Sequence, residues 1–60
     1  MTLLELLQQV ELQGQIKVVR VNDLTGRRIE FKSIHAADDW YIQYMYSEDD
    51  TLYIEVSQDW

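Results

Sequence analysis

The chain has 60 residues, a net charge of −6, no cysteine and no proline, and its apolar fraction of 47% is typical of a globular domain. A chain this short forms at most one domain, here residues 1–60, and it has no disulfide to stabilise it. All five Lys and Arg residues lie in the segment 17–32, whereas the segment 33–60 holds seven acids and no Lys or Arg. A charge separation of this kind acts on binding partners and not on the fold.

The first predicted element is an amphipathic helix over residues 3–12. Thr2 and Glu5 have the spacing of a capping box, in which each side chain accepts a hydrogen bond from the other residue's backbone amide. The apolar stripe has the helical spacing i, i+3, i+4, i+7 and consists of Leu3, Leu6, Leu7 and Val10. Gly14 is the predicted stop, because glycine adopts the left-handed conformation without a Cβ penalty.

Residues 16–34 are predicted to form a β-hairpin. The two strands are rich in β-branched residues, and the segment between them has Asp early and Gly late, as a type I turn closing into a left-handed residue requires. A four-residue loop at 23–26 pairs Val18 with Phe31 and Arg20 with Ile29. Residues 35–39 then form a connection.

Residues 40–57 are predicted to form a second hairpin, around Ser47–Asp50. The predicted register pairs Tyr46 with Leu52, Tyr44 with Ile54 and Ile42 with Val56. One face then carries the core residues Trp40, Ile42, Tyr44, Tyr46, Leu52, Ile54 and Val56, and the other carries Tyr41, Gln43, Met45, Tyr53 and Glu55. A slip by one residue exposes Ile42, so the burial pattern favours this register.

The predicted fold class is α+β, with an N-terminal helix packed on a four-stranded antiparallel sheet of two β-hairpins. The sheet face away from the helix keeps an apolar patch, which consists of Val19, Val21, Tyr41, Met45 and Tyr53. An exposed apolar patch on so small a domain is typical of an interface. We therefore expect self-association, to a homo-oligomer, through this patch.

The chemistry-bearing residues predict no enzyme, no cofactor and no metal site. His35 is the single histidine and lies near Asp38 and Asp39, but one imidazole with two carboxylates is a weak ligand set. The acidic segment 47–50 lacks the alternating spacing and the central glycine of a calcium loop. No nucleophile has a neighbouring base, and the two glycines are isolated.

The sequence predicts that Glu48, Asp49 and Asp50 bind a protein partner, since like charges this close gain nothing for stability. A plainly solvated turn is the alternative. Two other functions are left open. The chain could be an accessory subunit that docks through its sheet face, or a small-ligand or carbohydrate binder that uses its Tyr rings. The acidic balance argues against direct contact with nucleic acid or a membrane, and the N-terminus favours the cytoplasm. Trp60 is either a frayed tail or an anchor.

Two stretches carry a resemblance to known proteins. They are Met1-Thr2-Leu3-Leu4-Glu5-Leu6-Leu7 and Asp39-Trp40-Tyr41-Ile42-Gln43-Tyr44-Met45-Tyr46, which leads to Leu52-Tyr53-Ile54-Glu55-Val56. The layout resembles small acidic proteins encoded by phages and prophages of Gram-positive bacteria. Such proteins often bind and block a host enzyme, including defence nucleases. The resemblance therefore implies an inhibitor of a host protein that acts in the host cytoplasm.

Overall fold

The computed structural model describes residues 1–11 and 13–58. Its elements in chain order are α1 (Leu3–Gln9), β1 (Gln15–Val21), β2 (Arg28–Glu30), β3 (Tyr41–Glu48) and β4 (Thr51–Ser57). The strands form one four-stranded sheet in the order β2-β1-β4-β3. The predicted α+β class, with an N-terminal helix and a four-stranded sheet, is confirmed.

The sheet is mixed, so the prediction of a purely antiparallel sheet is wrong. The pairs β1–β2 and β3–β4 are antiparallel, but the two hairpins join through β1 and β4, which run parallel. The segment 31–40 makes this possible, because it carries the chain from the β2 edge to the opposite edge, where β3 begins. Both ways of joining the hairpins bury the same apolar faces, so the hydrophobic pattern does not distinguish them.

Helix α1 begins as predicted and ends earlier than predicted. The Thr2 amide donates to Glu5 Oε1 at 3.0 Å and the Glu5 amide donates to Thr2 Oγ1 at 3.3 Å, which confirms the capping box. The helix closes at Val10, whose backbone is extended. Gly14 has a positive φ of 89°, but it precedes β1 and does not end the helix. Leu12 lies outside the described residues.

The N-terminus is fixed to the β3 edge of the sheet by backbone hydrogen bonds. The Leu3 amide donates to the Trp40 carbonyl at 2.8 Å, and the Ile42 amide donates to the Met1 carbonyl at 2.9 Å. Thr2 forms an isolated antiparallel bridge with Tyr41. The capping residue of α1 is therefore also a contact of β3.

The core lies between one face of the sheet and a layer made by α1 and the 31–40 segment. Its buried residues are Leu3, Leu6, Val18, Ala37, Ile54 and Val56. Phe31 and Trp40 pack against this cluster and meet edge to face, with ring centroids 5.2 Å apart. We call this side of the sheet the helix face and the other side the open face.

The first hairpin has the predicted register. Arg20 pairs with Ile29, and the Phe31 amide donates to the Val18 carbonyl at 2.9 Å. The loop also has its expected form, because Gly26 has a φ of 71° and its amide donates to the Asn22 carbonyl.

The second hairpin has the predicted register only at its base, where Ile42 pairs with Val56. A β-bulge lies between Ile42 and Tyr44, and beyond it Tyr44 pairs with Glu55 and Met45 with Ile54. Tyr44 and Tyr46 therefore lie on the open face, and Met45 lies on the helix face; the predicted faces of all three are wrong. A bulge adds one residue to one strand, so it reverses the alternation of faces beyond it.

Candidate protein-binding surface

The acidic β3–β4 turn holds two aspartates in a left-handed backbone conformation. Glu48 pairs with Thr51, which leaves Asp49 and Asp50 as a two-residue turn with φ angles of 51° and 61°. Positive φ at both central residues defines a type I′ turn, for which Asn-Gly is the preferred sequence. Asp tolerates this region better than most residues, but it still pays a conformational penalty that Gly does not.

Glu48, the third residue of the predicted acidic site, is used within the fold. Its Oε2 atom lies 3.3 Å from Arg28 Nη1, which also donates to the Tyr46 hydroxyl at 3.4 Å. The hydrogen bonds to Tyr46 and to Glu48, and then the charge of Glu48, raise the pKa of Arg28. Glu48 therefore belongs to a contact within the fold, and the carboxylates of the turn that make no such contact with described residues are those of Asp49 and Asp50.

Arg28 crosses the open face from one edge strand to the other. It starts on β2, its guanidinium carbon lies 4.8 Å from the centroid of the Tyr53 ring on β4, and it ends at Tyr46 and Glu48 on β3. The rings of Tyr46 and Tyr53 stack with centroids 5.5 Å apart. The two hairpins are thus linked across the open face by one basic side chain.

The carboxylates of Asp49 and Asp50 make no ion pair with any residue in the ranges 1–11 and 13–58. Both residues are exposed at the end of the hairpin. By contrast, Glu30, an acid of the open face, lies 3.6 Å from Lys17. Within the described chain, the acidic turn is a place where adjacent negative charges have no partner.

The five residues of the predicted self-association patch do not share one exposed surface. Val19 is only 2% exposed, Tyr53 lies under Arg28, and Met45 is on the helix face. Val21 and Tyr41 are half-buried. The open face is therefore covered by its own charged and aromatic side chains, and it is not a flat apolar patch.

Two large hydrophobic side chains of β3 are well exposed. Tyr44 is 64% exposed and Met45 is 52% exposed, although they point to opposite faces. β3 is an edge strand, so a contact there can use both side chains and the backbone.

A cleft of about 460 Å³ opens at the carboxyl ends of the parallel strands β1 and β4. Its lining includes Arg20, Asp23, Trp40 and Glu55. Pockets for small molecules are lined mostly by apolar side chains with a few polar groups, whereas this lining is mostly polar. The cleft therefore has the character of a surface groove.

Near the predicted ligand set, His35 Nδ1 lies 3.3 Å from Asp38 Oδ1 in an exposed turn. Asp39 does not join this contact. Among residues 1–11 and 13–58, no three His, Cys, Asp or Glu residues are placed to hold a metal ion.

Comparison of the chain with protein-family models, with curated proteins and with solved structures found no match. In the part of the chain that the structure describes, no helix has the length and apolar character needed to cross a membrane. Asp59 and Trp60 lie outside the described residues, so the two interpretations of Trp60 stay open.

The sequence reasoning missed the role of Arg28, because Glu48 and Tyr46 are far from it along the chain and no local pattern links them. The exposure of Tyr44 was missed for a different reason. The signal was present in the turn: a two-residue loop at Asp49 and Asp50 gives the observed register, and a longer loop gives the predicted one.

Proposed function

We propose that the chain is a small protein-binding module that engages a basic surface of its partner through Asp49 and Asp50. The observation that carries this proposal is the combination of an unfavourable backbone with unpartnered charge in one turn. Residues held in sparsely populated conformations cluster at binding and catalytic sites. The two-residue hairpin itself requires the type I′ geometry, but it does not require two adjacent acids there.

The charge of the whole molecule supports the same partner class. A net charge of −6 attracts a basic surface and increases the rate of association with it. Basic grooves are typical of proteins that process nucleic acid, because such grooves bind phosphate. Together with the resemblance to small acidic phage proteins, this favours an inhibitor of a host nucleic-acid-processing or defence protein, acting in the host cytoplasm.

The test is a capture experiment from a lysate of a Gram-positive bacterium with three baits. They are the wild-type chain, the turn variant Asp49→Asn/Asp50→Gly, and the charge-matched control Glu11→Gln/Asp39→Asn. Both control positions are exposed and make no ion pair with described residues. The control therefore loses the same two charges at other places on the surface.

We expect the wild-type and control baits to retain one basic protein at about 50 mM salt, and the turn variant to lose it. Raising the salt to about 500 mM should release it from all baits, because the Debye length falls to a few Å. Equal retention by the turn variant contradicts the proposal.

A second candidate is an accessory subunit that docks through its sheet in a larger assembly. The exposed side chains of Tyr44 and Met45 favour it. A partner bound there should be insensitive to salt and to the turn variant, and it should be lost when Tyr44 is replaced by Ser. The same capture experiment therefore separates the two functions.

A further inference from the structure

The two edges of the sheet differ in how well they are protected against pairing with another strand. β2 has three residues, Arg28, Ile29 and Glu30, and two of them are charged. β3 has eight residues and a single charge, Glu48, at its end. Natural edge strands are protected by short length, by Lys or Pro, by bulges or by a covering segment. β3 has a bulge between Ile42 and Tyr44, and Met1–Leu3 cover its start, but neither protection reaches the stretch from Met45 to Ser47. The β3 edge is therefore the one that can accept another strand.

The register shows which backbone groups of β3 face outward. Glu48 and Thr51 flank a two-residue turn, so they exchange hydrogen bonds with each other. In an antiparallel pair, hydrogen-bonded and non-bonded positions alternate. The N–H and C=O groups of Met45 and Ser47 therefore point away from β4. The outward amide of Ile42 is already bonded to Met1, which leaves the stretch from Met45 to Ser47 open in the described chain.

We propose that β3 pairs antiparallel with β3 of a second copy of this chain, about a twofold axis at Tyr46. Met45 then lies opposite Ser47 of the other copy, and the reverse pair follows by symmetry. Each pair exchanges two backbone hydrogen bonds, so about four form in total. The outward groups of this stretch are all satisfied by one symmetric contact, which is the property of a self-complementary interface.

Charge and length both fit a second copy. About this axis, Glu48 lies opposite Tyr44 of the other copy, so the two acidic ends do not face each other. Because β3 ends at Glu48, the second copy's strand also stops before the position that Met1 occupies. The pairing stretch includes Tyr44 and Met45, the two exposed large hydrophobic side chains of the strand. This inference does not depend on the function of the acidic turn.

The direct test is amide hydrogen exchange of the wild-type protein between about 10 µM and about 1 mM, the range of a weak dimer. We expect the amides of Met45 and Ser47 to become at least about tenfold better protected as concentration rises. The amides of Tyr46 and Ile42 are internal controls, because they are bonded within one chain and should be protected at all concentrations. Sedimentation in the same samples should show the dimer.

Two variants at one position separate the backbone from the side chain. Met45→Pro removes an outward N–H without breaking the β3–β4 ladder, and Met45→Ala keeps that N–H. We expect the first to sediment as a monomer and the second still to dimerise. Higher salt should strengthen the dimer, because each copy carries −6. The proposal is overturned if the wild-type protein is a monomer at all concentrations. It is also overturned if the protein dimerises while the amides of Met45 and Ser47 exchange at the monomer rate. Both outcomes are measured on the wild-type protein, so a misfolded variant does not affect the test.

Discussion

The two hairpin turns of this molecule have opposite relations between sequence and geometry. In the β1–β2 turn, the residue with positive φ is Gly26, and the Asn22 side chain accepts from the Leu24 amide at 2.9 Å. In the β3–β4 turn, both residues with positive φ are aspartates, and their carboxylates have no partner in the described chain. The first turn has the residues that its backbone requires, whereas the second has residues that its backbone tolerates.

The difference shows where stability alone accounts for the sequence. The β1–β2 turn is explained by folding, because each of its special residues satisfies a local need. Folding does not explain why the β3–β4 turn has Asp-Asp in place of Asn-Gly. The proposed basic partner would account for the two charges, so the contrast between the turns is a way to test that proposal.

The largest expected effect is that of Gly26→Ala. An added Cβ meets no atom within 4 Å, so the cost is purely that of a side chain at φ 71°. We expect a loss of about 1.5 kcal/mol in the free energy of unfolding. Urea melts measure it. An unchanged midpoint would mean that the first turn is not adapted to its backbone, and the comparison between the turns would fail.

Thr2→Ala should destabilise the fold by about 1 kcal/mol, because the Glu5 amide loses its cap. Thr2 also bridges to Tyr41, so the loss should spread to the second hairpin and not to the first. Hydrogen exchange should show faster exchange in β3 with β1–β2 unchanged. An equal loss of protection in both hairpins would contradict the expectation that the effect is confined to the second hairpin.

In the β3–β4 turn, substitution should increase the free energy of unfolding, whereas in the β1–β2 turn it decreases it. Asp49→Asn/Asp50→Gly should stabilise the fold by about 0.5–1 kcal/mol, since Asn and Gly adopt positive φ more readily and two adjacent charges are removed. The control Glu11→Gln/Asp39→Asn should leave the urea midpoint nearly unchanged. If the control stabilises as much, the gain comes from net charge and not from the turn.

The smallest effect is the pH dependence of the capping box. The hydrogen bonds from the Thr2 amide and hydroxyl hold the pKa of Glu5 below its ordinary value of 4.5. The corresponding stability is present above pH 4.5 and is lost as the pH falls through the folded pKa. Glu5→Gln removes the titrating carboxylate and should flatten this part of the stability profile, whereas Thr2→Ala keeps the backbone amide donor and should flatten it only in part. An identical profile in the wild-type protein and in Glu5→Gln would show that the carboxylate is not stabilised by the cap.

Local patterns predicted the elements that depend on neighbouring residues. The capping box at Thr2 and Glu5 and the left-handed Gly26 were both found, because each is determined within a few residues. The register of the first hairpin followed from its loop, and the pairing of Arg20 with Ile29 is confirmed. The short helix was predicted too long, since its last turn depends on packing and not on periodicity.

Two features could not be derived from local patterns. The parallel β1–β4 pair depends on where the 31–40 segment crosses, and a residue such as Ala37 gives no sign of being buried there. The bulge at Gln43 reverses the faces of Tyr44 and Met45 relative to the pattern of aromatic residues, because the two-residue turn determines the register beyond it. The acidic site was predicted from charge alone, and only the fold shows that Glu48 is paired with Arg28.

The measurement that tests the central claim most directly is the association rate of the captured basic protein with the turn variant Asp49→Asn/Asp50→Gly, made alongside its urea melt. We predict a higher midpoint together with a slower association rate that depends less on salt, while the control Glu11→Gln/Asp39→Asn keeps the wild-type midpoint and most of the wild-type rate. A turn variant that is more stable and associates as fast as the wild-type chain would contradict the account, because the two aspartates would then have no function at the interface.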